Sequence, residues 1–258
     1  MSAKISTPRR LAAFYSHFPL KTLPEVEGRR PSAATPTLWI QPAPSSPLSA
    51  DVDCLAAQAL LALLGKHVAL RTDLTAQGAV DGRLPNLQLP DGQLLPAHAI
   101  ANWAGAPAEV DEARAWVSLL RSSIRPALLL HAPRQSLLDW SRGKRDEWRA
   151  LLSPPPPPAT GLGSPLPVFG TRVDVEGVRH QFAAALHALA DRLGRDQWFL
   201  GASSPTALDA TVFAYLHCAM KVPELRASID AFPALVKWEQ HVRAKVLDVK
   251  HQQSGYDV

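Results

Sequence analysis

Apolar positions in the second half of the chain recur at helical spacing. Val178, Phe182, Leu186, Leu189 and Leu193 form one stripe, and Ala113, Trp116, Val117, Leu120 and Ile124 form another. Intervals of three and four residues place such side chains on one face of a helix, ready to bury against a neighbour. Leu235, Trp238 and Val242 repeat the pattern, which predicts a last helix over 233–246 with residues 248–258 frayed. A further helix is expected to start at Thr206. Residues 136–152 read as another helical stretch, made basic by Arg142, Lys144, Arg145 and Arg149. The prolines at 154–158 end it as a stiff polyproline segment within a surface loop over 153–170.

The first hundred residues carry a different pattern. A short apolar run at 37–40 reads as a strand stopped by the Pro/Ser cluster at 42–47. Asp51 opens a helix to about residue 64 that Gly65 closes, and 67–70 reads as a second strand. The runs 84–89 and 94–95 flank Pro90-Asp91-Gly92-Gln93, and Asp91-Gly92 signals a hairpin because Gly92 supplies the positive φ of a tight turn. A short helix over 97–103, ended by Gly105, completes the order β-α-β, loop, β-β-α. The fold class is therefore α+β and mostly α. An arm at 1–35 precedes a mixed half at 36–105, and a helical half follows at 106–258.

Composition sharpens this picture. The chain has 258 residues, ample for a sizeable core. Ala and Leu dominate its apolar set and aromatics are 7%, which favours helices over a sandwich. A net charge of +4 is mildly basic and lacks the dense Lys/Arg stripe of a nucleic-acid binder, while an acidic partner or an anionic membrane surface suits it equally. Two cysteines, Cys54 and Cys218, make no disulfide framework and suggest a reducing compartment. No apolar run reaches the roughly 18 residues a membrane-spanning helix needs. Residues 1–26 hold Lys4, Arg9, Arg10 and Lys21 with no acid before Glu25. That composition is compatible with a mitochondrial presequence, but the preferred reading is a helix of the mature chain capped by Thr7 with Pro8 at its first position.

Several of these features together resemble the glutathione-transferase fold, with its thioredoxin-like N-terminal half and all-helical C-terminal half. Leu84-Pro85-Asn86-Leu87 sits where that family carries a cis-proline, and Asp91-Gly92 sits at its hairpin. Thr206-x-x-Asp209 resembles the capping box of its buried helix, in which hydroxyl and carboxylate satisfy each other's backbone N–H groups. Phe232-Pro233-Ala234-Leu235-x-x-Trp238 resembles its closing helix. The stretches Trp198-Phe199-Leu200-Gly201, Pro205-Thr206-Ala207-Leu208-Asp209-Ala210 and Cys54-Leu55-Ala56-Ala57-Gln58 resemble the metaxin family. Phe18-Pro19-Leu20-Lys21-Thr22 is similar to the opening of the smaller metaxin-like subunit of the mitochondrial sorting and assembly machinery.

The metaxin resemblance implies a peripheral subunit on the cytosolic face of the mitochondrial outer membrane. It would join a membrane β-barrel core subunit and a larger metaxin-like subunit and help receive β-barrel precursors for insertion, with no enzyme activity, cofactor or nucleic acid. A glutathione-transferase-like enzyme or a cytosolic adaptor of the same fold are the alternatives. The residues speak against the enzyme. A transferase of this family needs a Tyr, Ser or Cys near the start of the first helix and an acid-serine pair at the entry to its third. The pair falls here on Pro96-Ala97, whose side chains donate nothing. Ser45, Ser46 and Ser49 sit in a Pro-rich turn where serine is expected anyway. Cys54 lies beside Asp51 and Asp53, which raise a thiol pKa. The nine histidines show no metal spacing and are expected at the surface or as satisfied core groups. Gly161 to Gly170 lacks the Lys-Ser/Thr of a phosphate loop.

The arm is the expected partner contact. Phe14, Tyr15 and Phe18 put three aromatics in five residues, and Pro19 holds Leu20, Lys21 and Thr22 extended. These rings either reach the barrel partner or precursor, or fold back over the chain's own helical half.

Overall fold

A computed structural model describes residues 35–43, 46–74, 78–107, 110–131 and 174–254, with side chains through residue 248. The arm residues Phe14, Phe18, Pro19, Leu20, Lys21 and Thr22, together with Ser45, the basic stretch 136–152, the proline run and the 153–170 loop, lie outside the described residues.

Four strands of three residues each form one sheet: β1 (Thr37–Trp39), β2 (Ala69–Arg71), β3 (Asn86–Gln88) and β4 (Leu94–Pro96). Their order is β2-β1-β3-β4, with β1 parallel to β2 and both other pairings antiparallel. The register lines up Leu70, Leu38, Leu87 and Leu95 across the sheet. Strand residues alternate faces, so this leucine row makes one face apolar. It packs with Cys54, Ala57 and Leu61 of α1 (Val52–Leu63) and with Ile100 and Ala104 of α2 (Ala97–Ala104). The opposite face carries Trp39, whose indole donates to Gln88 Oε1 at 3.2 Å and lies under the Arg71 guanidinium.

The local stops follow the residue chemistry. Asp51 caps α1, its Oδ1 accepting from the Cys54 N–H at 2.9 Å. The β3–β4 hairpin turns through Pro90, Asp91 and Gly92, with the Gly92 N–H donating to the Leu89 carbonyl. Gly92 sits at φ 90°, so the loop has three residues and ends on a left-handed glycine, where a two-residue turn would need positive φ at both positions. The Leu84–Pro85 bond is cis. Asn86, fully buried, fixes the segment before it: its Oδ1 accepts from the Val80 N–H, and its amide donates to the Pro85 and Arg83 carbonyls.

The helical half begins with α3 (Asp111–Leu119), which runs through a π-helical turn at Leu120–Ile124 into α4 (Arg125–His131). Its Ala113, Leu120 and Ile124 are buried, as the apolar spacing requires, while Trp116 and Val117 are only partly so. α5 (Val175–Leu193) buries its whole predicted stripe. α6 (Ala207–Met220) is apolar all round and central. α7 (Pro223–Ile229) and α8 (Pro233–Ser254) close the bundle.

Four expectations need correction. The second strand starts at Ala69 rather than 67 and ends at Arg71. The π turn interrupts what spacing alone reads as one α-helix. α7 was not expected: only Leu225 and Ile229 of its seven residues are buried, too few to make a periodic signal. The last helix continues to Ser254, so the stretch expected to fray is helical through that residue.

Two apolar clusters result. One lies between the sheet and α1 and α2; the larger one fills the bundle. α1 serves both. Cys54, Ala57 and Leu61 join the sheet cluster, and Leu55, Ala59 and Leu60 join the bundle cluster, where α1 runs along α6.

Candidate functional site

A cavity of about 880 Å³ opens where the sheet half meets the bundle. α1 supplies Val52, Asp53, Ala56 and Leu60 to its wall, and the segment before β3 supplies Arg83, Leu84 and Pro85. Ala97, His98 and Ala101 of α2 face Val117, Arg121 and Arg125 of α3 and α4. Thr211 and Tyr215 of α6 complete it. Of these, sequence reasoning named Pro85 as a structural site residue and Ala97 as the position where a transferase's acid-serine pair would fall. The arm residues it named lie outside the described residues, and the others have structural work elsewhere. Asp91 and Gly92 make the hairpin, and Thr206 and Asp209 cap α6.

Ser46 and Ser49, set aside above as catalytic serines, are engaged in local hydrogen bonds. Ser49 is buried, donates to the Gln41 carbonyl at 2.7 Å and accepts from the Asp51 N–H. Ser46 Oγ accepts from the Leu48 N–H. Neither lines the cavity. At the entry to α2, Pro96 takes the capping position with no side-chain hydrogen bond, and Ala97 follows. Cys54 is fully buried, and its thiol is pushed well above the ordinary range by burial first and the Asp51 charge next, against a hydrogen bond from the Gln41 N–H. Burial pushes Cys218 up to about 12. Both thiols should therefore resist iodoacetamide at pH 8 in the folded protein and react fully in urea, read by mass spectrometry. Rapid native labelling of Cys54 would show an accessible thiolate there and reopen a redox role.

Charge gathers on the helical wall. Arg125, a third exposed, pairs with Asp53 Oδ2 at 3.2 Å. Burial lowers the guanidinium's pKa, but Asp53 and then Tyr215 outweigh it, so it stands above its ordinary value. Arg121 makes no hydrogen bond or ion pair among the described residues. Tyr215 is buried, and its hydroxyl lies near Arg125 without a hydrogen bond of normal geometry. Burial raises the phenol's pKa while Arg125 pulls it down. An unmatched buried hydroxyl costs about 1–3 kcal/mol. No group of three or more His, Cys, Asp or Glu suited to a metal occurs among the described residues.

Deep in the bundle the structure pairs two residues that sequence reasoning left apart. His217 Nδ1 and Glu239 Oε1 are 2.7 Å apart, both buried. His217 Nε2 and Glu239 Oε2 have no partner, so this core histidine is only half satisfied.

The fold and this cavity can be set beside known proteins. Residues 182–242 match the family model described as glutathione S-transferase, C-terminal domain. A metaxin-1 homolog from Caenorhabditis briggsae is 35% identical over 99 residues, covering 35% of this chain and 31% of that protein. Over these stretches the chain resembles a metaxin and the C-terminal domain of glutathione S-transferases. The metaxin match spans about a third of that relative's length. Solved structures agree on the fold. The β-etherase LigF from Sphingobium sp. strain SYK-6 superposes with a TM-score of 0.57 at 12% identity, over 84% of this chain and 99% of that one. A glutathione S-transferase from Methylobacillus flagellatus KT with glutathione bound gives 0.53 at 14%, over 83% and 98%. A Tau-class glutathione S-transferase from mango gives 0.52 at 15%, over 83% and 92%.

Proposed function

We propose that this metaxin-like chain is a non-catalytic binding subunit of the mitochondrial outer-membrane sorting and assembly machinery. It sits peripherally on the cytosolic face, joins the membrane β-barrel core subunit and a larger metaxin-like subunit, and helps receive β-barrel precursors. The observation that carries this reading is the entry to α2, where Pro96 and Ala97 stand in place of hydrogen-bond donors and acceptors for a γ-glutamyl group. The metaxin-1 match supports the choice among binding roles. Among the described residues no helix is long and apolar enough to cross a membrane, which suits attachment through other proteins.

Native pull-down from detergent-solubilised mitochondrial membranes, read by mass spectrometry, tests it. The β-barrel core subunit and the larger metaxin-like subunit should co-purify, and a variant lacking residues 1–24 should stay folded by circular dichroism yet lose the barrel. Normal co-purification by that variant removes the arm as the contact; recovery of neither subunit with the full chain overturns the assignment. Glutathione with a reactive aryl halide should give no turnover above background. Turnover abolished by Ser46→Ala or Ser49→Ala would restore the enzyme reading.

A further inference from the structure

We draw no further inference here: the strongest candidate, the buried His217–Glu239 pair between α6 and α8, does not line the cavity, and its two unmatched polar atoms are closed to solvent, so it offers a ligand nothing beyond the helix packing already described.

Discussion

Replacing Glu239 with alanine should destabilise the protein by about 3 kcal/mol, the upper end of the cost of leaving a buried hydrogen-bonding partner unsatisfied. Glu239 is 1% exposed on α8, and its Oε1 lies 2.7 Å from His217 Nδ1 on α6. Arg243, one turn along, approaches the same oxygen at 3.9 Å. Alanine would strand an imidazole whose Nε2 already lacks a partner, and it would leave a void in a close-packed helix interface. Glu239→Gln keeps the volume and one hydrogen bond and should cost less. A double variant, His217→Phe with Glu239→Met, fills the site with apolar atoms and should be more stable than Glu239→Ala, because no polar group is then left buried alone. Urea unfolding of the three variants checks the order. A loss under about 1 kcal/mol for Glu239→Ala would show that the pair is solvated in solution and not a buried contact.

Asp209→Ala should be as damaging, at about 3 kcal/mol, and clearly worse than Thr206→Ala at about 1 kcal/mol. The capping box itself explains only part of this. Thr206 accepts from the Asp209 N–H, and Asp209 Oδ2 accepts from the Thr206 N–H at 2.7 Å and from its hydroxyl at 2.6 Å. The other oxygen, Oδ1, accepts from the Phe199 N–H at 2.8 Å. One fully buried carboxylate thus ties the turn at Phe199–Gly201 to the first turn of α6. Phe199 in turn packs edge-on against Trp238 of α8. Thr206→Ala loses the hydroxyl but leaves both backbone bonds to Asp209; Asp209→Ala orphans two buried N–H groups. Equal effects in thermal or urea unfolding would mean that the Phe199 bond contributes nothing.

The contrast between these two sites marks what a sequence can reveal. Thr206 and Asp209 were legible because a capping box is local, three residues apart and fixed in residue type. The α5 stripe was legible because each member repeats at helical spacing. Asp209's bond to Phe199 spans ten residues and follows no pattern, so its extra weight was hidden. His217 and Glu239 meet only through helix packing, and a lone acid in an amphipathic segment reads as a solvated face. The π turn left no trace because buried positions at 113, 120 and 124 satisfy α spacing equally well. The cavity was hidden for the same reason as the His217–Glu239 contact: Arg121, Arg125 and Tyr215 are separated by up to 94 positions, and arginines on a helix are ordinarily surface residues. Pro85 was an exception, found through a four-residue motif.

α1 gives one face to the sheet cluster and another to the bundle cluster. A helix shared in this way leaves no seam along which the described halves could part. Melting either cluster exposes the apolar surface of α1 and removes a wall from the other, so both should disappear in a single cooperative transition. The amides of α1 should then exchange with deuterium only through global unfolding, as slowly as those of the central α6.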